Sequence, residues 1–265
     1  MRSRVQAHPW RGMSDSARVG PLATTGTTPV LRSGAVQASR EPPGNTLLAS
    51  LPRKEHRRLL GLLEPVTLGF GQVLYEPGDA ITHVYFPDLS LVSLLTLVDE
   101  RMAVEVGLVG YEGMVGVSLA LGVGVSPVRA LVQAAGTATR MKAAHFLREL
   151  GRSVPLQRAI QRYTHVLMAQ VAQTAACNRF HVVEERLARW LLMSRDRVQS
   201  ERIPMTQEFL SHMLGVRRVG VTKAAGQLQK RKLIEYSRGN IRIVDQLGLE
   251  AAACSCYRTV KDILA

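Results

Sequence analysis

Residues 205–244 read MTQEFLSHMLGVRRVGVTKAAGQLQKRKLIEYSRGNIRIV and carry the most informative pattern in the chain. Thr206 can cap a short helix over 207–214, because a threonine side chain accepts a hydrogen bond from the first helical turn. Gly215 permits a sharp turn, and a second helix with one apolar face follows over 217–230. The stretch therefore predicts two helices joined by a tight turn.

Two short apolar segments, Leu233–Tyr236 and Ile241–Val244, follow the second helix and flank a glycine-containing turn, which predicts a hairpin. The early part of the second helix carries Arg217, Arg218 and Lys223 on its outer side. An α-helix fits the major groove of DNA, arginine donates two hydrogen bonds to guanine, and lysine can hold a phosphate. We therefore expect a winged helix-turn-helix that binds double-stranded DNA.

The charge distribution favours the same class of partner. The chain has 265 residues, enough for roughly two domains, and a formal net charge of +13. Residues 46–145 are close to neutral, whereas residues 203–244 contain eight basic and two acidic side chains. A basic domain beside a neutral one indicates a polyanionic partner, which is nucleic acid or, less often, an acidic membrane surface.

No segment of the sequence predicts a membrane anchor. The longest uncharged runs, 113–128 and 163–178, are shorter than the ~20 residues that a helix needs to cross a bilayer. Residues 1–30 lack the apolar core of a secretory signal. We therefore expect a cytoplasmic protein with no membrane partner.

The first half of the chain contains three segments that differ in composition and in their pattern of apolar residues. Residues 1–44 are rich in Ser, Thr, Gly, Pro and Arg and predict a disordered tail. Leucines over 46–64 predict a helix that Pro65 ends. Short apolar runs between Gly, Pro and Asp turns over 66–142 predict a small antiparallel barrel or sandwich, interrupted at 110–124 by a short helix or loop.

A long helix is predicted within 143–178, after the barrel. Six of its residues recur at helical spacing and form one stripe: Leu156, Ile160, Tyr163, Leu167, Val171 and Thr174. A long helix between two domains favours pairing with the same helix of a second copy. The alternative is that this stripe packs on the chain's own barrel.

Several motifs together match a known family. They are Gly71-Gln72-Val73-Leu74-Tyr75, Pro77-Gly78-Asp79, Val84-Tyr85-Phe86, Thr206-Gln207-Glu208, Leu214-Gly215-Val216 and Leu228-Gln229. On these motifs the chain resembles bacterial Crp/Fnr-type transcription regulators over residues 46 to about 250. The resemblance implies an α+β fold. This comprises an amino-terminal antiparallel β-roll (a double-stranded β-helix like that of cyclic-nucleotide-binding domains), a long central dimerisation helix and a carboxyl-terminal winged helix-turn-helix.

The resemblance also implies a division of the chain and a function. The expected parts are a tail at 1–44, an effector domain at 45–150, a dimerisation helix at 151–180, a winged helix-turn-helix at 181–250 and a final helix at 251–265. We expect a homodimeric regulator, not an enzyme, that binds an inverted-repeat operator, contacts RNA polymerase and responds to a small effector. The alternative is a cyclic-nucleotide-responsive regulatory protein that acts through a protein partner.

The resemblance assigns the candidate DNA contacts. Arg217, Arg218, Val219 and Lys223 occupy the base- and phosphate-facing positions of the second helix. Val219 stands where many members have glutamate, so an acceptor for cytosine is lost, and Arg217 replaces the usual small hydroxyl cap. The full set of expected DNA-binding residues is Thr206, Gln207, Arg217, Arg218, Val219, Lys223 and Arg238.

The corresponding effector pocket differs from that of cyclic-nucleotide binders. Those members use a Gly-Glu pair and a later Arg-Ser/Thr pair, and the carboxylate accepts from ribose while the guanidinium binds the cyclic phosphate. The matching stretch here contains Gly116, Val117 and Ser118, with Ser126 near the arginine position and Arg129 beyond it. Since valine cannot accept a hydrogen bond, we do not expect cAMP and assign no cofactor.

The cysteines and histidines do not indicate a metal or an enzyme. Cys177, Cys254 and Cys256 are too few for a disulfide scaffold, and the gap in Cys254-x-Cys256 is too short for a zinc knuckle. We therefore expect no metal. A cupin-type oxygenase needs clustered histidines, but the barrel segment has only His83. Haem ligation by His83 or His145 stays open as an alternative.

Overall fold

The computed structural model describes residues 44–98, 102–198, 200, 202–237 and 239–264. The predicted tail lies outside this part of the chain except for residue 44. Among the described residues, no helix combines the length and the apolar character that crossing a bilayer requires.

The first elements differ from the single helix predicted over 46–64. Two short helices, α1 (Thr46–Ala49) and α2 (Arg53–Leu60), precede strand β1 (Glu64–Leu68). Pro52 separates the helices because the residue before a proline is pushed out of the helical region. Pro65 lies inside β1, paired with Thr139, so the prediction that it ends a helix is wrong.

Seven strands form the predicted antiparallel β-roll. Its further strands are β2 (Val73–Tyr75), β3 (His83–Pro87), β4 (Leu91–Leu97), β5 (Ala103–Val109), β6 (Arg129–Ala134) and β7 (Gly136–Lys142). They form two antiparallel sheets with the orders β1-β7-β3 and β2-β6-β4-β5. A 3-10 helix, Val117–Leu121, occupies the predicted interruption. Buried aliphatic and aromatic side chains such as Val84, Phe86 and Val132 fill the core.

Two helices follow the barrel: α3 (Ala143–Arg152) and α4 (Val154–Phe180). Ser153 separates them and caps α4 by accepting a hydrogen bond from the backbone of Leu156. With 27 residues, α4 is about 40 Å long at ~1.5 Å per residue. It lies on the barrel, where the Tyr163 hydroxyl donates to the Met114 carbonyl at 2.9 Å.

The stripe predicted to face a second copy lies against the chain's own core. Leu156, Ile160, Tyr163, Leu167 and Thr174 are buried within the single chain, and Val171 is half-buried. The dimer contact predicted through these six residues is therefore wrong, and the alternative of packing on the barrel describes this face. Apolar spacing identifies a buried face of a helix, but it does not say which surface buries it.

The carboxyl-terminal part is a helical domain with a three-stranded sheet. Its elements are α5 (Val183–Val198), β8 (Arg202–Pro204), α6 (Gln207–Leu214), α7 (Arg218–Lys230), β9 (Ile234–Ser237), β10 (Asn240–Ile243), α8 (Gln246–Ala252) and α9 (Cys256–Leu264). The predicted hairpin is β9–β10, and β8 pairs with β10 as a third strand. The sequence analysis missed β8 because three residues ending in proline do not show a strand period.

Buried polar contacts join this domain to the barrel. The indole nitrogen of Trp190 on α5 donates to Oε1 of Glu105 at 3.0 Å, and the Gln133 amide donates to the Ser194 hydroxyl at 2.8 Å. Arg197 forms an ion pair with Glu112 at 2.7 Å. The barrel thus fixes α5, and α5 positions the helix-turn-helix that follows it.

Candidate nucleic-acid interface

Helix α6 begins and ends as its sequence predicts. The Thr206 hydroxyl accepts a hydrogen bond from the Phe209 amide at 3.1 Å, which is the predicted cap. Gly215 follows the helix with φ +61°, a left-handed conformation that glycine adopts without steric cost. Phe209, Met213 and Leu214 are buried beneath α7 and the barrel. These contacts fix the angle at which α7 starts.

Helix α7 separates its apolar and basic faces. Val221, Ala224, Ala225 and Leu228 are buried in the domain. Val219 and Lys223 lie on the opposite face, and the predicted contacts Arg217, Arg218, Val219 and Lys223 are all exposed, with Val219 73% accessible. Arg217 is the N-cap residue and makes no side-chain cap bond, as its replacement of a hydroxyl residue predicts. The three basic groups are therefore presented together at the amino end of an exposed helix.

Gln207 connects the two helices. Its Oε1 accepts a hydrogen bond from the Thr222 hydroxyl at 2.9 Å. The carboxamide nitrogen of Gln207 has no hydrogen-bond partner in the described part of the chain, so it is available to a phosphate oxygen. Thr206 is exposed next to it.

The wing holds the remaining predicted contact. Arg238, a predicted contact, lies outside the described residues. Arg242 on β10 binds both carboxylate oxygens of Glu235, at 2.7 and 3.1 Å, which offsets its charge. Burial raises the pKa of Tyr236 on β9, and the nearby charge of Arg218 lowers it in part.

A cleft separates the amino end of α7 from the end of the β4–β5 hairpin. It has a volume of about 560 Å³, and its walls include Val98, Met102, Arg217 and Arg218. A Cβ added to Gly215 would lie 3.0 Å from Cγ2 of Val104 on β5. The turn of the helix-turn-helix thus packs directly on this hairpin.

Four of the five predicted effector residues line a cavity of about 290 Å³ between the barrel and α4. Gly116, Val117, Ser118 and Ser126 line it, together with mainly apolar side chains. Arg129 is not among its lining residues: it is buried, and its Nε donates to Oε2 of Glu76 at 2.7 Å. Placing Arg129 in the pocket is therefore wrong, and among the described residues no arginine lines this cavity to receive a cyclic phosphate.

The thiols converge although their spacing does not predict it. Cys177, Cys254 and Cys256 meet His181, and their ligand atoms all lie within 4.8 Å of one another. A hydrogen bond from Cys254 is the main cause that lowers the pKa of Cys177, to about 5, and Arg189 contributes. The sequence analysis considered only gaps along the chain, so it did not identify this cluster.

A family model and several solved structures are similar to this chain. Residues 185–252 match the family model of the Crp-like helix-turn-helix domain. A protein assigned to the Crp/Fnr family of transcriptional regulators from Eubacterium rectale is 17% identical, with a TM-score of 0.63 over 78% of this chain and 96% of its own. A CRP-family transcriptional regulator from Thermus thermophilus is 17% identical, with a TM-score of 0.61 over 71% and 96%.

The c-di-GMP-responsive global regulator CLP of Xanthomonas campestris is 15% identical, with a TM-score of 0.60 over 72% of this chain and 99% of its own. A search of curated proteins gave no match. At these identities the structural likeness establishes the fold, and the three proteins named are described as regulators. The predicted β-roll with a carboxyl-terminal winged helix-turn-helix is confirmed. Residues 185–252 match the Crp-like helix-turn-helix domain, and the chain as a whole has the fold of solved structures described as Crp/Fnr-family regulators.

Proposed function

We propose that this protein is a cytoplasmic, homodimeric transcription regulator that reads an inverted-repeat DNA operator. The observation that carries the proposal is the exposure of Arg217, Arg218 and Lys223 together in the amino-terminal half of α7. Side chains at the start of a recognition helix reach base edges in the major groove. Contact with RNA polymerase stays a prediction.

The outer face of α4 supplies the surface for a dimer. Gln161, His165, Met168, Ala172 and Ala175 are exposed and follow steps of four, three, four and three residues. That is the spacing of a coiled-coil seam, and the small alanines allow two helix backbones to approach closely. Met168 is 67% accessible in the single chain, which is a large exposure for a methionine. This seam takes the place of the buried stripe predicted from sequence.

The dimer seam gives a direct prediction. Ala172→Glu should convert the dimer into a monomer, because two buried like charges would face each other across the seam. Ala251→Glu, on the exposed side of α8, is the matched control and should leave the dimer intact. Sedimentation velocity measures both. A dimeric Ala172→Glu protein would remove this seam from the proposal.

The β4–β5 hairpin connects the barrel cavity to the recognition helix. Leu94, Thr96 and Val106 on this hairpin line the barrel cavity, whereas Val98 and Met102 at its other end border the recognition helix. A small, largely apolar effector in the cavity would favour one position of the hairpin. The position of the hairpin would in turn change the orientation of α7. Such coupling requires that the effector prefer one hairpin position over the other.

Selection of bound DNA from a random pool tests the function. We expect an enriched inverted repeat whose half-sites are about one helical turn, ~34 Å, apart, because each subunit presents one recognition helix. The selection is done at a stated salt concentration, with and without small-molecule cell extract, since phosphate contacts make the affinity salt-dependent. Enrichment of no sequence under either condition would contradict operator binding.

A further inference from the structure

Four metal-binding side chains from distant parts of the chain meet at the end of α4. Cys177 lies in the last turn of α4, and His181 is the first residue after that helix. Cys254 lies between α8 and α9, and Cys256 is the first residue of α9. Each offers one ligand atom, and the four atoms all lie within 4.8 Å of one another.

The distances fit one small ion. Zinc is bound tetrahedrally at about 2.3 Å from sulfur and 2.0–2.1 Å from nitrogen, which places neighbouring ligand atoms roughly 3.5–3.8 Å apart. Here the sulfurs of Cys177 and Cys254 are 3.5 Å apart, and Nδ1 of His181 is 3.5 Å from the sulfur of Cys256. A disulfide bond would require about 2.05 Å between two sulfurs.

We propose that Cys177, His181, Cys254 and Cys256 form a structural zinc site. Thiolate and imidazole ligands in a tetrahedral set favour zinc over hard cations. Four protein ligands leave no open position, which is typical of a structural and not a catalytic site. The three cysteines are buried at 0%, 7% and 1% accessibility in chain order, so solvent does not compete for the metal.

The surroundings balance the charge of such a centre. Three thiolates and one Zn²⁺ sum to a single negative charge. Arg186 and Arg189 are buried and interact electrostatically with Cys177. The Nε atom of each lacks a hydrogen-bond partner, and neither arginine pairs with a carboxylate among the described residues. A buried guanidinium without an anionic partner is costly, and an anionic metal centre beside these two arginines offsets that cost.

A further hydrogen bond is directed at one of the proposed ligands. The Gln173 amide on α4 donates to the sulfur of Cys256 at 2.9 Å. Hydrogen bonds from the protein to metal-bound thiolates fix their orientation. The metal would thus fasten α9 to the end of α4, at the point where the central helix gives way to the DNA-binding domain. This inference does not depend on DNA binding.

Metal analysis of the purified full-length chain is the first test. We expect about one zinc per chain without added metal. After replacement, Co²⁺ should give the visible absorption of a tetrahedral site and the near-ultraviolet bands of thiolate ligation. Chelation should lower the melting temperature, because metal-binding energy contributes to folding. Absence of zinc with three freely titratable thiols, or a Cys177–Cys254 disulfide found by mass spectrometry, would overturn the proposal.

Single substitutions of the proposed ligands, with a matched histidine control, test this set of residues. His181→Gln should abolish or strongly weaken zinc retention and alter the cobalt spectrum, whereas His56→Gln, at a half-buried position of α2, should change neither. Cys256→Ser should do the same as His181→Gln. Should Cys256→Ser fail to fold, the cobalt spectrum of the wild-type chain still decides whether thiolates bind the metal. Cobalt bands that are identical in all variants would exclude this set of ligands.

Discussion

Arg218→Ala is expected to weaken binding to the selected operator by about 1–3 kcal/mol, roughly 5- to 150-fold, since a bidentate contact to guanine is worth that much. Arg218 is exposed in the first turn of α7, from which its side chain can reach base edges in the major groove. Binding to unrelated DNA should fall much less. Affinities for the operator and for a scrambled duplex, measured at the same salt concentration, give the ratio.

Two comparison variants make this result specific. Lys223→Ala should weaken binding to both DNAs alike. It should also reduce the slope of log affinity against log salt concentration by about one, because a lysine–phosphate contact releases about one counterion. Arg258→Ala removes an exposed arginine of α9, on another element, and should change neither quantity. An equal loss on both DNAs for Arg218→Ala would assign Arg218 to the phosphate backbone and leave the bases to other residues.

A second large effect is expected from Glu105, which is buried where the barrel meets α5. Burial is the main cause that raises its pKa to about 7; the contact with Ser93, the hydrogen bond from Trp190 and the charges of Arg189 and Arg197 lower it in part. The Ser93 hydroxyl lies 2.7 Å from Oε2 of Glu105 and 2.7 Å from Oε1 of Gln133. One hydroxyl proton cannot serve two acceptors, so a protonated Glu105 that donates to Ser93 satisfies the network.

The sign of the pH dependence follows from this raised pKa. Below about pH 4.5 the folded and unfolded chains both hold the Glu105 proton, and between there and about pH 7 only the folded chain holds it. The stabilisation is therefore complete at low pH and is lost as the pH rises through about 7, by a total on the order of 3 kcal/mol.

Glu105→Gln tests this assignment. The amide stays neutral, so the variant should match the wild type near pH 5 and be more stable than it near pH 8. The control Asp262→Asn, at an exposed position of α9, should keep the wild-type pH dependence. Chemical denaturation at both pH values measures the free energy of unfolding. A Glu105→Gln profile parallel to that of the wild type would show that Glu105 is ionised throughout.

Local sequence predicted the elements whose signals are themselves local. The Thr206 cap, the left-handed Gly215 and the buried spacing of Val221 and Leu228 all form as expected, because each depends on neighbours within a few residues. The prediction of one helix over 46–64 was wrong for a related reason. Its leucines suggested one helix, but Pro52 breaks it, and Pro65 is accommodated in a strand by pairing across the sheet.

The sequence by itself determined that a basic helix-turn-helix follows an antiparallel barrel, since periodicity, capping and turn residues act over short distances along the chain. Only the tertiary structure decided which face of α4 is buried, that Arg129 bonds Glu76 instead of lining the cavity, and that Cys177 meets Cys254 and Cys256. Each of these depends on contacts between residues far apart in sequence, and spacing along the chain carries no information about them.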